Sequence, residues 1–588
     1  MKRKQGLRLR ASINGYDIKK NTGFNLEISI WNLHSFKIDK MKKLISILLI
    51  CLTANLIFAQ LETEIADLFE EKENCPGGII GVFEDGKIEF QKAYGLANLD
   101  YYIPITSKTV FDVGSIGKQF TAACIFLLEQ QGKLSIDDPI QKFLPEMPVF
   151  QEEVVNIRNL LNHTSGFRDY VEITAYAGIP FENIFTEEMG LDIMTRQKER
   201  SFPPGQQHMY NNGGYLLLAI IIRRVAGESI GTFAQKHIFE PLGMQSTFIL
   251  ENPNRIVKNS ATGYTPLTDS TYQKKHFYNI ALGGDGQVYT TFEDLLLWDN
   301  NFYDHQVGGQ ALYDRQHERG ILNNGDTIEY AGGLFIQENN GQRVVQHTGS
   351  WGGFRAVLWR LPSLKKTLVV LANTPDFLNG PKFFGLLDLM IPKEEAKQKT
   401  KEIERPTNTP KLTTQQLQKH TGLFAVKDQP HLRLQNKLKN DTLTITQLWD
   451  EQEYQLIPSS ENEFFRKDRP MVKCTFDKQT GAPVIVNEIF EVWQTERVDA
   501  YHSRANLEEY IGEYHSVEVG VTYAIQVEAK QLVVLRNNEK IKNLLPVSED
   551  VFGNQIQGYQ FIREEGKINS FMIQDRRIRN LQFSKMNN

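Results

Sequence analysis

Two apolar runs separated by a short polar turn lie on either side of residue 85. The first run is Pro-Gly-Gly-Ile-Ile-Gly-Val-Phe at 76–83, and the second is Ile-Glu-Phe-Gln-Lys-Ala-Tyr-Gly at 88–95. Asp85-Gly86 stands between them, and an Asp-Gly pair flanked by such runs is typical of a two-residue hairpin turn. The pattern predicts a β-hairpin that forms part of an antiparallel sheet.

A helical spacing begins after residue 111. Apolar side chains recur three and four positions apart, at Phe120, Ala123, Cys124, Leu127 and Leu128. They cover nearly the whole circumference of the segment, which predicts a buried helix within 111–132 that ends at Gly132. Ser115 and Lys118 lie at its start, three residues apart on one helix face, so the amine is within reach of the hydroxyl. An N-cap serine followed by a solvated lysine is the alternative interpretation.

Three more apolar segments lie between residues 343 and 371. The segments 343–347, 354–360 and 367–371 are separated by Gly-Gly at 352–353 and Pro-Ser at 362–363. Because these pairs favour turns, we expect three consecutive antiparallel strands that form one sheet with the hairpin. The stretch from about 150 to 300 is expected to be mostly helical with irregular loops. The predicted fold class is α/β (α+β), an antiparallel sheet flanked by helices.

The sequence changes character after residue 392. Residues 393–412 are charged and rich in Pro, Thr and Asn without a periodic apolar face, which predicts a linker. Short alternating segments follow, and the motif at 417–424 returns at 507–514 with Leu, Gly and aromatic residues in matching places. This predicts two copies of an all-β unit, each a small barrel or half of one. Because no polar residues converge in these strands, a packing role is favoured over a ligand site or a cover for a cleft.

The N-terminal segment has the features of an export signal. Met41-Lys42-Lys43 is followed by sixteen mostly apolar residues, 44–59. A charged start, an apolar middle and a small-residue end are typical of a secretory signal peptide, and the run is short for a membrane span. We therefore expect export to the periplasm or the extracellular space, and membrane anchoring is the less favoured alternative. Residues 1–40 are interpreted as an over-extended start or a leader.

Length and charge exclude several functions. At 588 residues, the chain is long enough for two or three domains. Without residues 1–59 it keeps 55 Lys and Arg against 68 Asp and Glu, a formal net charge of −13. A chain this acidic has no basic footprint for nucleic acid or anionic lipid. Cys75, Cys124 and Cys474 are widely spaced, so neither a disulfide framework nor a Cys-based metal site is expected.

Two polar motifs stand next to predicted elements. Tyr-Asn-Asn at 210–212 follows a glycine-rich loop and precedes the apolar segment 216–225, and His-Thr-Gly-Ser at 347–350 ends a predicted strand. Taken singly, the tyrosine is explained as a helix-start aromatic, Asn212 as an N-cap and the histidine as a paired strand residue. His163 is a further catalytic candidate, but its local setting favours a histidine that fixes a loop.

Taken together, the motifs point to a known family. In chain order, Ser115-x-x-Lys118, Tyr210-x-Asn212 and His347-Thr348-Gly349 resemble the motifs of the serine β-lactamase and penicillin-binding-protein superfamily, specifically its class C branch. The resemblance extends from about Cys75 to Thr374. It implies a β-lactamase/transpeptidase-like domain, and similar lipocalin-like units are appended in peptidase-like members of that superfamily.

The resemblance also implies a role for each position. Ser115 is implied to be the acylated nucleophile, and Lys118 either accepts its proton or keeps Tyr210 ionised. Tyr210 is implied to pass a proton to the leaving group and then to activate water, with Lys118 and, when protonated, His347 as nearby cations. The backbone N–H groups of Ser115 and Ser350 are implied to bind the oxyanion. The residues implied to hold the substrate and the oxyanion are Asn212, His347, Thr348, Gly349 and Ser350.

These observations favour a secreted serine hydrolase that cleaves an amide, ester or D-peptide bond through an acyl-enzyme. A true class C-like β-lactamase is one alternative, although histidine at 347, where those enzymes usually carry lysine, holds a carboxylate less firmly. A non-catalytic penicillin-recognising binding or sensor protein is the other. No cofactor or metal ion is expected. The expected partner is a small-molecule or peptide substrate, and a cell-wall origin is one option for it. Neither a nucleic acid partner nor a strong membrane interaction is expected.

The predicted domain organisation follows from these boundaries. In order, it comprises a leader at 1–40, the signal peptide at 41–59, the hydrolase domain at 60–392, the linker at 393–412, and β repeats at 413–500 and 501–588.

Overall fold

The structure is a computed structural model. It describes residues 63–69 and 74–586 apart from 152, 269, 276, 278, 340–341, 391–409, 428, 449–450, 468–471, 487–491, 500–505 and 555–556. The predicted leader, the predicted signal peptide and most of the predicted linker lie outside the described residues, and the domain limits stay predictions. Within the parts that are described, no helix combines the length and the apolar character needed to cross a bilayer.

The predicted hairpin is present near residue 85. β1 (Gly78–Glu84) and β2 (Lys87–Tyr94) pair antiparallel around Asp85 and Gly86. Both turn residues have left-handed φ values, 48° and 76°, which the two-residue turn that matches strand twist requires. The Asp-Gly turn therefore sets the pairing next to it, and an irregularity between Val82 and Phe83 shifts the register farther along the strands.

One six-stranded antiparallel sheet forms the centre of the region 74–390. Between β2 and the other strands of this sheet, the chain forms short strands that belong to smaller sheets. They are β3 (Leu96–Asn98), β4 (Ile103–Pro104), β5 (Phe111–Asp112), β6 (Phe185–Thr186), β7 (Phe248–Ile249), β8 (Tyr264–Pro266), β9 (Tyr272–Lys274), β10 (Ile280–Ala281) and β11 (Val288–Thr290). The sheet strands are then β12 (Phe335–Asn339), β13 (Gln342–Trp351), β14 (Phe354–Leu361) and β15 (Lys366–Ala372). Their order is β12-β13-β14-β15-β1-β2. The three predicted strands and their junction with the hairpin are confirmed, and β12 is an additional edge strand.

The described helices of the chain lie in the region of this sheet, except for the last, which precedes the first barrel. They are α1 (Lys118–Gln130), α2 (Ile157–Leu161), α3 (Tyr170–Ala177), α4 (Glu187–Thr195), α5 (Asn212–Ala226), α6 (Ile230–Ala234), α7 (Glu240–Leu242), α8 (Phe292–Asp304), α9 (Gly309–Gln316), α10 (Gly380–Met390) and, beyond the linker, α11 (Thr414–Gln418). α1 is buried on nearly every side, as its apolar circumference predicts, and Gly132 follows it with a φ of 67°. The segment before it differs from the expectation, because Phe111 belongs to β5 and Ser115 to a 3₁₀ turn, Gly114–Gly117.

The C-terminal region contains two closed antiparallel barrels. The first barrel has the described strands β16 (Gly422–Val426), β17 (Gln429–Lys439), β18 (Thr442–Gln447), β19 (Glu453–Pro458), β20 (Glu463–Arg466), β21 (Lys473–Phe476), β22 (Pro483–Val486) and β23 (Val492–Val498). The second has β24 (Gly512–Ser516), β25 (Val521–Glu528), β26 (Gln531–Arg536), β27 (Glu539–Ser548), β28 (Val551–Asn554), β29 (Gln557–Glu564), β30 (Lys567–Gln574) and β31 (Leu581–Lys585). The mixed fold class with C-terminal barrels is therefore confirmed.

The internal repeat marks the entry into each barrel. Gly422 begins β16 and Gly512 begins β24, with φ values of 149° and 155°. Two residues later, the side chains of Phe424 and Tyr514 are fully buried in the barrel interiors. The repeated motif thus places a flexible residue at the strand start and an aromatic residue in the core.

Candidate active site

Ser115 lies at the junction of β5 and α1. The buried Asp112 carboxylate accepts a hydrogen bond of 2.8 Å from the Gly114 N–H, and Gly114 has a φ of 50° that suits glycine. The chain therefore turns sharply before Ser115, whose side chain is half-buried at the start of the helix. Burial raises the pKa of Asp112 to about 7.

Lys118 is fully buried and contacts three oxygen atoms. Its Nζ lies 2.9 Å from Asn212 Oδ1 and 2.6 Å from the Asp285 carbonyl oxygen, both of which accept hydrogen bonds from it. The third contact, 3.2 Å long, joins Nζ to Ser115 Oγ. A protonated amine donates to the hydroxyl in this contact, whereas a neutral amine uses its two N–H groups elsewhere and accepts the Ser115 proton. The geometry accommodates both forms.

The segment 210–212 is held at the start of α5. Asn211 is the N-cap, and its Oδ1 accepts a hydrogen bond from the Gly214 N–H at 2.8 Å. The alternative that makes Asn212 the N-cap is therefore wrong, and the Asn212 side chain is free to face Lys118. His163 Nδ1 accepts a bond of 3.1 Å from the Asn211 N–H, which supports the loop-fixing role expected for this histidine.

Asp169 orients the Asn212 amide. Its Oδ2 accepts hydrogen bonds from the Asn212 backbone N–H at 3.0 Å and from Asn212 Nδ2 at 2.9 Å. Because Nδ2 faces this carboxylate, Oδ1 must face Lys118. The Asp285 carboxylate accepts a hydrogen bond from the Tyr170 hydroxyl at 2.8 Å, and burial raises the pKa of Asp285. Asp169 thus supports the asparagine through its carboxylate, and Asp285 supports the lysine through its main-chain carbonyl oxygen.

Tyr210 lies beside the lysine. Its ring centroid is 5.0 Å from Lys118 Nζ and 4.3 Å from the centre of the His163 ring. The hydroxyl is buried, and within the described residues no group forms a hydrogen bond with it. A hydroxyl in that state is available to a substrate or to water.

His347 lies in the same site as Tyr210 and Lys118, but it is not a cation. Its Nδ1 lies 2.6 Å from the Thr348 carbonyl oxygen, which can only accept, so Nδ1 carries the proton. Nε2 then accepts a hydrogen bond of 3.2 Å from the buried Tyr330 hydroxyl. Burial, followed by the charge of Lys118, lowers the pKa of His347 to about 3. The condition under which His347 was expected to act as a cation, its protonation, is therefore not met at neutral pH.

β13 lies directly against the turn that carries Ser115. A Cβ atom on Gly349 would lie 1.9 Å from the Val113 carbonyl oxygen and 3.3 Å from the Ser115 nitrogen. A Cβ atom on Gly114 would lie 2.9 Å from the Ser350 nitrogen. Glycine is thus required for the approach of two segments of this chain, and the Ser115 and Ser350 N–H groups belong to backbones in contact. Thr348 and Ser350 are exposed.

The structure brings the sequence-predicted residues together and adds others that the sequence did not indicate. Asp169, Asp285 and Tyr330 support the site from loops or strands far away in sequence. A fourth addition, Arg577, comes from the second barrel, and its guanidinium carbon lies 5.1 Å from the centre of the Tyr210 ring. The expectation that the C-terminal repeats serve only as packing modules is therefore incomplete. It was based on the absence of converging polar residues in the strands, whereas Arg577 lies in a loop.

The chain is similar to several known proteins. Residues 58–381 match the family model described as Beta-lactamase. Penicillin-binding protein 4* of Bacillus subtilis is 32% identical over 326 residues, which are 53% of this chain and 71% of that protein. The D-aminopeptidase of Brucella anthropi is 28% identical over 299 residues, which are 51% of this chain but only 56% of that protein. Among solved structures, the octameric penicillin-binding protein homologue from Pyrococcus abyssi has the same fold, with a TM-score of 0.51 at 22% identity over 82% of this chain and 99% of that one. The chain belongs to the beta-lactamase family of serine hydrolases.

Proposed function

We propose that this protein hydrolyses an amide, ester or D-peptide bond through an acyl-enzyme on Ser115. One observation carries the proposal: the buried Lys118 amine contacts both Ser115 Oγ and Asn212 Oδ1. A serine hydroxyl is a weak nucleophile unless a base lies within hydrogen-bond distance, and Lys118 is such a base. The names of the relatives, a penicillin-binding protein and a D-aminopeptidase, support an amide or peptide substrate.

The proposed reaction has two half-reactions. Ser115 Oγ attacks the carbonyl carbon, its proton passes to Lys118 or to Tyr210, and the N–H groups of Ser115 and Ser350 stabilise the oxyanion. The C–N or C–O bond then breaks, and the leaving group takes the proton through Tyr210. A water molecule repeats the attack on the acyl carbon and releases Ser115. Asn212 would bind the substrate amide carbonyl.

β-Lactam hydrolysis is the second candidate, and the neutral His347 argues against its efficiency. A carboxylate of the kind that β-lactams carry gains little from an uncharged imidazole. We also propose membership of the class C branch, export through residues 41–59 and a cell-wall-derived substrate. N-terminal sequencing of the exported protein tests the proposed export, and a start at about residue 60 would support it.

Labelling of Ser115 tests the proposed nucleophile. The purified protein is treated with a fluorophosphonate and with a fluorescent penicillin, and wild type is compared with Ser115→Ala. Ser229→Ala, which removes the N-cap hydroxyl of α6, is the matched control. We expect label in wild type and in the control, and none in Ser115→Ala. Equal label in Ser115→Ala, or none in wild type, would refute the proposal. Turnover of nitrocefin, p-nitrophenyl esters and D-Ala-D-Ala peptides then ranks the substrates.

A further inference from the structure

The loop between β30 and β31, residues 575–580, is fixed against the region 74–390. The fully buried Arg168 guanidinium donates hydrogen bonds of 2.8 Å to the carbonyl oxygens of Arg579 and Asn580. The Arg579 N–H donates to Ser201 Oγ at 3.2 Å, and the Asp575 carboxylate accepts from the Tyr176 hydroxyl. Both ends of the loop are therefore anchored, and the residues between them have a defined position.

Arg577 lies in the middle of this loop and faces Tyr210. Its guanidinium carbon is 5.1 Å from the centre of the Tyr210 ring. Its Nη1 is 4.0 Å from Asp169 Oδ2 and 3.9 Å from Glu172 Oε1, which is longer than a hydrogen bond. Within the described residues, no hydrogen bond to the guanidinium is formed. With 36% of its side chain exposed, Arg577 is open to a ligand.

The other basic groups around Tyr210 are not available to an anion. Burial lowers the pKa of His163 well below its ordinary value, so this histidine is uncharged at neutral pH. Lys118 is fully buried and already contacts three oxygen atoms. His347 bonds to Tyr330 and to the Thr348 carbonyl and is uncharged at neutral pH.

The Asp169 carboxylate oxygens accept hydrogen bonds from Asn212 and from the N–H of Val171, and Asp169 forms no hydrogen bond with the Arg577 guanidinium. Asp169 and Glu172 lie close enough to offset part of the Arg577 charge, but neither forms a hydrogen bond with its N–H groups, and burial raises the pKa of Glu172 to about 7. The Arg577 N–H groups can therefore still pair with a substrate.

We propose that Arg577 binds a carboxylate on the leaving part of the substrate. The inference rests on the proposed function, in which Tyr210 hands its proton to the leaving group, so that group departs along the side of Tyr210 that Arg577 faces. A planar guanidinium binds a carboxylate with two parallel hydrogen bonds. The selected substrates are then amides or peptides whose leaving amine is an amino acid with a free carboxylate. The Ser115 acyl bond forms, the C–N bond breaks and the amino acid leaves with its charge unchanged.

Two matched peptides test this inference. Acetyl-D-Ala-D-Ala carries a terminal carboxylate, and acetyl-D-Ala-D-alaninamide does not. Dissociation constants are measured in the full chain with Ser115→Ala, alone and combined with Arg577→Ala, Arg577→Lys or Arg576→Ala. Arg576 is the matched control, because it is an exposed arginine next to Arg577 in the same loop. Turnover of both peptides by wild type is measured separately.

We expect the Ser115→Ala protein to bind the acid about tenfold or more tightly than the amide. Arg577→Ala should reduce that ratio to near one, Arg577→Lys should retain part of it, and Arg576→Ala should leave it unchanged. An equal loss of affinity for both peptides, or an unchanged ratio, would overturn the inference, as would a protein that binds neither. Selective binding without turnover by wild type would instead contradict the proposed function and leave Arg577 as the selecting residue.

Discussion

The Asp169 carboxylate holds the Asn212 amide by two hydrogen bonds, one from its backbone N–H and one from Nδ2. Asp169 is also the N-cap of α3, where Oδ1 accepts from the Val171 N–H at 3.0 Å. A single buried carboxylate thus starts a helix and determines which end of Asn212 faces Lys118. The orientation of the site depends on a residue 43 positions before the asparagine.

Replacing Asp169 by alanine is therefore expected to slow acylation of Ser115. Without the carboxylate, the Asn212 amide can rotate and present Nδ2 to the Lys118 amine, which also donates. The loss of hydrogen bonds to a charged acceptor corresponds to about 1.5–3 kcal/mol, or about a 10- to 100-fold slower rate of fluorophosphonate labelling. Thr186→Ala, which removes the N-cap of α4, is the control for helix capping. Equal labelling rates in the two variants would contradict the orienting role.

His347 gives the second prediction, on the pH dependence of activity. Because its pKa is lowered to about 3, its charge does not change between pH 5 and 8. Any change of kcat/KM in that range must then come from other groups. We expect His347→Gln to lower the rate, since the bond to Tyr330 is altered, but to leave the apparent pKa values of the profile in place. Loss of an acid limb in this variant would show that His347 titrates.

The parts of the fold and site that were predictable from the sequence are those whose residues lie close together along the chain. Ser115 and Lys118 share one helical turn, and the Asp85-Gly86 turn carries its own conformational preference. The neutral state of His347 was not predictable, because it arises from burial beside Tyr330 and not from the His-Thr-Gly motif. The role of Arg577 was not predictable for a related reason. This residue lies next to Tyr210 only because the second barrel is fixed to the region 74–390.

Asp112 gives the third prediction, on stability. Its pKa is raised to about 7 from an ordinary value of 3.8, so the folded protein binds this proton more tightly than the unfolded chain. The stabilisation is complete below about pH 4 and is lost as the pH rises to about 7, by about 4 kcal/mol in total. Asp112→Asn keeps an oxygen for the Gly114 N–H and cannot ionise.

Denaturant unfolding at several pH values measures this effect. The free energy of unfolding of Asp112→Asn, minus that of wild type, should grow between pH 4 and 7 and level off above. A difference that stays constant across the range would mean that Asp112 is ionised in the folded protein throughout.

The fourth prediction concerns Arg168, which connects the second barrel to the region 74–390. Its guanidinium pairs with the buried Glu518 of the second barrel and also binds the loop 575–580. Arg168→Met leaves Glu518 buried without its partner, which corresponds to about 3–5 kcal/mol of lost stability. Calorimetry should show a clearly lower Tm, and proteases should cleave the loop 575–580 faster than in wild type.

Arg158→Met is the matched control for this variant, because Arg158 pairs with Asp137 and Glu318 in partly exposed contacts that contribute at most about 1 kcal/mol. If Arg577 selects the substrate only while its loop is fixed, Arg168→Met should also reduce the preference for the acid peptide over the amide peptide, and Arg158→Met should not. A Tm decrease no larger than that of Arg158→Met would show that Arg168 does not fix the barrel. An unchanged peptide preference in a destabilised Arg168→Met protein would show that Arg577 reaches the substrate without this anchor.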